Sequence, residues 1–157
     1  MTEVTVTRVV AAPRATVYDV FADRDGYSRF LPLQMRLVEE GAEARQGVGA
    51  VHQMGLGPIG VKERITELVP RERIAYELIA GAPVRRHVGE IVFADEGAGT
   101  RVTYRMDSTP SLPVPSGLLV LVLRGLTTVM VRGAAREACR QAGARYPDSG
   151  SMSPVVD

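Results

Sequence analysis

The stretch that decides the fold is GLLVLVLRGLTTVMVRGAAREACRQAGA, residues 117–144. It contains no proline but is flanked by the proline-rich segment 109–115 and by Pro147, so we predict one long helix. Its apolar first half is interrupted by Arg124 and is shorter than the ~20 residues that span a bilayer. We therefore expect this helix to pack on a globular core, with no stable membrane insertion.

The sequence before this helix is rich in predicted strands. Alternation over 4–10 predicts a first strand, and two short helices should follow, one after Pro13 and one over Tyr27–Leu31. Short turns then separate six strands, which favours antiparallel pairing. The order predicts an α+β fold in which a curved antiparallel sheet of about seven strands wraps around the long helix and leaves a cavity between them. The six strands are predicted at Met35–Glu40, Gly49–Met54, Val61–Leu68, Ile74–Ala80, Arg86–Ala94 and Arg101–Ser108.

Length and composition limit the protein classes. A chain of 157 residues fits one domain, which we place at 1–146, followed by a polar tail at 147–157 that we expect to be flexible. The net charge of +1 argues against a nucleic-acid partner. The single cysteine, Cys139, excludes an internal disulfide. The charged start does not resemble a signal peptide, so a soluble cytoplasmic protein is the default expectation.

Neither a cofactor nor a metal site is predicted. Residues 55–60 match G-x-G-x-x-G, but a strand pattern follows them and Pro58 removes an amide donor, so they indicate a hairpin turn. His52 and His87 are 35 residues apart in the sequence, a spacing that gives little support to a metal site.

Several motifs together resemble a known superfamily. They are VAAPRATVYDVFAD (10–23), YSRFLP (27–32), GVGAV (47–51), ERITELVP (63–70) and GAGTRVTY (97–104). Their order and spacing resemble the START-like superfamily that contains polyketide cyclase/dehydrase-type proteins and has the helix-grip fold. The resemblance implies a single ligand-binding domain; members bind lipids, sterols, polyketides or hormones, and some are cyclases or aromatases. Aromatase-type members usually carry a tryptophan after the first helix, where this chain has Tyr27.

The alternation of the strands indicates which side chains face the cavity. Tyr76 and Tyr104 share a face with apolar neighbours on their strands, and the same test turns His87 inward. Glu63 shares a face with Val61, so its carboxylate is predicted to lie in the interior. For the strand of His52, the pattern does not show which face points inward. The strand candidates for ligand binding are His52, Met54, Glu63, Tyr76, Leu78, His87, Ile91, Phe93, Tyr104 and Met106.

Arginines offer an anchor for an acidic ligand. Arg85 and Arg86 follow a turn and fit either a solvated strand end or a site for an acidic headgroup at the cavity mouth. On the long helix, extending a small-residue face backward at about 100° per residue turns Leu121 and Arg124 toward the cavity. That face comprises Val131, Ala135, Ala138, Cys139 and Ala142.

The same helical phase leaves an apolar stripe on the other side of the helix. Its members would face away from the sheet, where the proline-rich connector, a bilayer surface or a second copy of the chain could cover them. A homodimer is the common way for identical chains to cover such a patch. The stripe consists of Leu118, Val122, Leu126 and Val129.

Three functions remain open on these grounds. The first is binding of a hydrophobic or amphipathic small molecule, lipid-like or polyketide-like, in the cavity. The second is a polyketide cyclase or dehydratase in which Tyr76, His87 and Tyr104 transfer protons. The third is a protein-interaction module that uses the apolar helix face.

Overall fold

The computed structural model describes residues 2–56 and 59–145, which form seven strands, two α-helices and one 3₁₀ helix. The 3₁₀ helix spans Arg24–Arg29, between the first helix and the second strand. In chain order the other elements are β1 (Thr2–Val10), α1 (Arg14–Ala22), β2 (Gln34–Glu39), β3 (Val51–Leu56), β4 (Ile59–Val69), β5 (Arg73–Ala80), β6 (Val84–Glu96), β7 (Gly99–Pro110) and α2 (Ser116–Arg145).

All seven strands belong to one antiparallel sheet, in the order β1-β7-β6-β5-β4-β3-β2. From β2 to β7, strands that follow one another in the chain are also paired in the sheet, as short connections favour. The first strand, β1, pairs with the other edge of β7. Alternate residues of β7 are buried, including Val102, Tyr104 and Met106, because one face of the strand meets the interior. The predicted α+β helix-grip architecture is therefore confirmed.

The packed core lies between the sheet, α1 and the second half of α2. Phe93 on β6 makes edge-to-face contacts with Tyr18 and Phe21 of α1, with ring centroids 5.5 Å apart in each pair. Small side chains on α2, including Ala134 and Ala138, are fully buried, which lets this half of the helix pack closely.

Local details differ from the sequence prediction. The second short helix is a 3₁₀ helix that begins at Arg24, three residues before the predicted start. The hairpin prediction for 55–60 concerns a turn whose residues 57–58 lie outside the described residues; β3 and β4 on either side do pair antiparallel. The tail at 147–157, for which flexibility was predicted, also lies outside the described residues.

The predicted face of α2 is wrong in its first half. Leu121 is 69% exposed and Arg124 is also exposed, whereas Leu123 is only 9% exposed. The small-residue face included Cys139, which is exposed, and omitted Ala134, which is fully buried. Because the small-residue face was defined with Cys139 and without Ala134, its extension into the first half of the helix pointed to Leu121 and Arg124. The residue that faces inward there is Leu123.

Helix α2 meets the length and composition criteria for a membrane span over Ser116–Gly143. A core helix of a water-soluble protein meets the same criteria, and Val131, Ala134 and Ala138 of α2 are buried in the core described above. Among the described residues this is the one helix that meets them. The cytoplasmic location remains a prediction.

Two leucines on α2 test its orientation directly. Leu123→Ala should lower the free energy of unfolding by about 2 kcal/mol, because it removes buried methyl groups. Leu121→Ala should change it by less than about 0.5 kcal/mol, because the side chain is mostly in water. Urea unfolding of both variants measures the difference; equal losses, or a larger loss for Leu121→Ala, would contradict the observed helix face.

Candidate functional site

A cavity of about 210 Å³ lies between the sheet and the first half of α2. Its walls are mostly aliphatic, and side chains from five strands (β3 to β7), the β5–β6 turn and α2 contribute to them. Leu126 lines it while being 57% exposed, which places this residue at the mouth. The lining residues are Met54, Val61, Glu63, Tyr76, Leu78, Ala82, Val84, His87, Tyr104, Met106, Ser108, Leu119, Leu123, Leu126, Thr127 and Met130.

Two tyrosines on β5 and β7 form a hydroxyl pair on the cavity wall. The Tyr104 hydroxyl donates to the Tyr76 oxygen at 2.7 Å, and the Tyr76 hydroxyl points to the Met106 sulfur at 3.6 Å. Gly89 pairs with Tyr76 across the sheet, and a side chain there would collide with the Tyr76 ring. Burial raises the pKa of both tyrosines, so both are neutral phenols at neutral pH.

A buried ion pair lies next to the tyrosines. Arg24, at the start of the 3₁₀ helix, donates from Nη2 to Oε2 of Glu63 on β4. Its guanidinium carbon lies 4.7 Å from the Tyr76 ring centroid and 5.4 Å from that of Tyr27, within the range of cation–π contacts. Burial is the largest influence on the pKa of Arg24 and would lower it, but the Glu63 carboxylate and the neighbouring tyrosines together raise it by more, so Arg24 stays charged.

A polar network fixes the 3₁₀ helix that carries Arg24. Asp25 accepts from the backbone N–H of Leu37 on β2 at 2.7 Å and pairs with Arg45 at 2.8 Å. The side-chain oxygen of Gln46 accepts from the backbone N–H of Asp25 at 3.1 Å. These contacts hold Arg24 against β4 through its neighbour in the chain.

His52 on β3 is paired with Glu63 on β4 in the strand register, and its side chain is fully buried. Its Nε2 donates to the Gln46 side-chain oxygen at 3.1 Å, since an amide oxygen can only accept. Burial, followed by the charge of Arg24, lowers the pKa of His52 to about 4, so it is neutral at neutral pH.

His87 on β6 stands on the cavity wall, with its ring centroid 6.3 Å from that of Tyr76. Burial lowers the pKa of His87, so its neutral form is favoured. Among the described residues no group of three histidine, cysteine, aspartate or glutamate side chains is arranged to hold a metal ion.

Known proteins share this architecture. The family model for polyketide cyclase / dehydrase and lipid transport matches residues 1–144. The chain belongs to this family. No curated protein matches its sequence.

Solved structures of three proteins show the same fold. A START superfamily protein from Mycobacterium smegmatis superposes with a TM-score of 0.78 at 14% identity, covering 90% of this chain and 99% of the other. The Zhui aromatase/cyclase from Streptomyces sp. R1128 gives 0.72 at 23%, covering 88% and 94%. The protein TTHA0849 from Thermus thermophilus gives 0.69 at 22%, covering 89% and 99%. At these identities the likeness shows the fold alone.

Seven of the residues predicted from the strands lie together in the cavity of this family member. The alternation of apolar and polar positions was sufficient to find six of them, because each strand has one interior face, whereas the strand of Met54 had been ambiguous. They are Met54, Glu63, Tyr76, Leu78, His87, Tyr104 and Met106.

The other predicted residues lie elsewhere. Ile91 and Phe93 face the interior but belong to the packed core, because their end of β6 lies beyond the cavity and Phe93 packs under α1. His52 lies behind Glu63, and Arg85 is exposed beside the β5–β6 turn. Leu121 and Arg124 face outward on α2 and are not at the cavity. Arg85 and Arg86 are not at the cavity either, and Arg86 pairs with Asp107 on the surface at 3.0 Å.

Arg24 and the α2 lining were not predicted. Arg24 stands in Asp-Arg-Asp-Gly (23–26), a composition typical of an exposed turn. The available signal was Glu63 itself, because a buried carboxylate requires a cationic or hydrogen-bonding partner. The α2 residues Leu119, Leu123, Thr127 and Met130 follow one another at intervals of three and four, but apolar neighbours on all sides mask this spacing.

The low pKa of His52 predicts acid sensitivity. The unfolded chain binds a proton at His52 near pH 6.5 but the folded protein only near pH 4, so stability is complete above pH 6.5 and falls as the pH decreases. Between pH 7 and pH 5 this residue should cost about 2 kcal/mol of unfolding free energy.

Urea unfolding at pH 7 and pH 5 measures this loss. His52→Gln should unfold with a smaller difference between the two pH values than the parent, although His87 leaves part of the slope. An unchanged pH difference in His52→Gln would show that His52 titrates normally in the folded protein.

Proposed function

We propose that the protein binds a hydrophobic or amphipathic small molecule in the cavity under α2. The observation that carries this proposal is an apolar space between sheet and helix whose few polar groups include Glu63, Tyr76 and Tyr104. Small-molecule sites combine these two features, since apolar walls supply affinity and a few polar groups fix the orientation of the ligand.

The cavity volume indicates the size of the ligand. At about 210 Å³ it is larger than a cavity of about 150 Å³ that holds a benzene molecule. A compact molecule of one or two rings, or the end of a longer chain that leaves through the mouth at Leu126, fits this space.

Family membership supports the same proposal. Its description covers lipid transport together with polyketide cyclase and dehydrase activity, and both involve ligands with large apolar surfaces. The description does not distinguish a carrier from an enzyme.

Filling the cavity should abolish binding. The neutral two-ring dye 6-propionyl-2-(dimethylamino)naphthalene should bind the parent saturably, with one site per chain. Leu78→Trp should weaken this binding at least tenfold, because an indole in the cavity wall occupies the ligand's volume. Ile79→Trp is the matched control, since Ile79 is the next residue on β5 and is exposed, and should bind like the parent.

Fluorescence titration measures both variants, and circular dichroism confirms that they are folded. Saturable binding that survives Leu78→Trp unchanged would place the dye elsewhere and contradict the proposed site.

Proton transfer, as in a cyclase or dehydratase, is the second candidate function. Two observations favour this function. The Tyr104 hydroxyl is hydrogen-bonded to Tyr76, and His87 lines the same cavity as these two neutral phenols. The Tyr76 hydroxyl, whose proton faces only the weak acceptor Met106 sulfur, could donate a hydrogen bond to a carbonyl oxygen, while neutral His87 could accept a proton. The raised pKa values of the tyrosines exclude them as bases at neutral pH.

We further propose that the exposed side of α2 forms a homodimer. Leu118, Val122, Leu126 and Val129 are all about half exposed, as the predicted stripe requires, and Leu121 joins them at 69%. Leu126 also lines the cavity mouth, so a second copy seated on this stripe would cover the mouth. A two-fold dimer that buries the stripe would thus protect apolar surface and ligand together.

Sedimentation at micromolar concentration should therefore show a dimer. Val122→Glu should give a folded monomer, because a carboxylate at the centre of the interface would be desolvated. Val9→Glu, the same substitution at an exposed valine on β1, is the control and should leave the dimer intact. A parent that stays monomeric at all accessible concentrations would exclude this interface.

A further inference from the structure

The charge that faces the cavity is negative. Glu63 lines the cavity, and none of the lining residues within the described ranges is an arginine or a lysine. The arginines expected to anchor an acidic ligand point elsewhere: Arg124 and Arg85 are exposed, and Arg86 pairs with Asp107. A ligand in the cavity therefore meets a carboxylate and no directly accessible cation.

Arg24 does not change this conclusion. Its charge is paired with Glu63, and the Tyr76 ring lies against the guanidinium at 4.7 Å. The residue is fully buried and is absent from the cavity lining. It holds the carboxylate in place from behind, whereas the carboxylate itself is presented to the ligand.

The neighbouring hydroxyl groups mostly offer acceptors. The Tyr104 proton is used by Tyr76, and the Tyr76 proton is directed at the Met106 sulfur. Thr127 donates to the backbone oxygen of Leu123 at 2.8 Å. Of the lining hydroxyl groups, only Ser108 is without a partner among the described residues, and it can donate or accept.

We infer that the cavity selects a neutral molecule whose polar end donates a hydrogen bond to Glu63, as a phenol or an alcohol does, and that it rejects carboxylates. This inference rests on the proposed binding function and names the ligand class for the same cavity. A hydrogen bond to a charged acceptor strengthens binding roughly ten- to a hundredfold. A carboxylate in the same place would lose that bond and be repelled by Glu63.

A matched set of naphthalenes tests the inference at pH 7 by calorimetric titration of the intact protein. 2-Naphthol donates a hydrogen bond, 2-methoxynaphthalene can only accept one, and 2-naphthoate carries a negative charge. We expect 2-naphthol to bind about tenfold or more tightly than 2-methoxynaphthalene, and 2-naphthoate to bind most weakly. If 2-naphthoate or 2-methoxynaphthalene binds as tightly as 2-naphthol, the inference is overturned.

Two double variants identify the group responsible. Arg24→Met with Glu63→Met removes the buried pair together, a change that is often tolerated where loss of one partner is not. It should keep the affinity for 2-methoxynaphthalene and lose the preference for 2-naphthol. Arg64→Met with Glu77→Met removes an ion pair whose side chains are 45% and 42% exposed, and should keep the preference.

The outcomes separate this inference from the proposed function. Saturable binding of 2-methoxynaphthalene without a preference for 2-naphthol would overturn the inference and leave the binding function intact. Absence of binding for all three probes would contradict both. A preference that persists without Glu63 would assign recognition to another group; if that variant does not fold, the parent series alone decides.

Discussion

The buried ion pair between Arg24 and Glu63 is the constraint on which the rest of the structure depends. A lone carboxylate beside an apolar cavity would be strongly disfavoured, and so would a lone guanidinium in the core. Each charge is tolerated because the other is present, and loss of one partner from such a pair typically costs about 3–5 kcal/mol. The pair joins the 3₁₀ helix to β4 across 39 positions of sequence and provides the cation under the Tyr76 ring.

The Arg24 guanidinium contacts both a ring of the packed core, Tyr27, and a ring of the cavity wall, Tyr76. On one side Phe21 and Tyr27 belong to the packed core, and burial raises the pKa of Tyr27 to about 12. On the other side Tyr76 and Tyr104 face the cavity as neutral phenols. Burial also favours the neutral form of His52, so the formal charges at this end of the interior are those of the ion pair.

The strands could be predicted from the sequence because a two-residue period has only two phases. Apolar neighbours fix which phase faces inward, so Glu63, Tyr76 and Tyr104 followed from alternation alone. The partner of Glu63 did not follow, since Arg24 belongs to a 3₁₀ helix and is brought to β4 by a network of side chains that have no periodic pattern. A buried carboxylate predicts that a partner exists, but only the tertiary structure selects one arginine from many.

Helix α2 was harder to predict, because its first half, apart from Arg124, has apolar residues on every side, and their spacing does not show which side faces inward. One side lines the cavity through Leu119 and Leu123, while Leu121 and Val122 on the other side are in water. The second half is different: fully buried alanines pack it closely on the core, as side chains that hold a helix in place do. The cavity wall and the closest packing on the core thus lie in different halves of one helix. Substitutions at the cavity-lining positions can change the shape of the cavity while the alanine-rich half keeps the helix on the sheet.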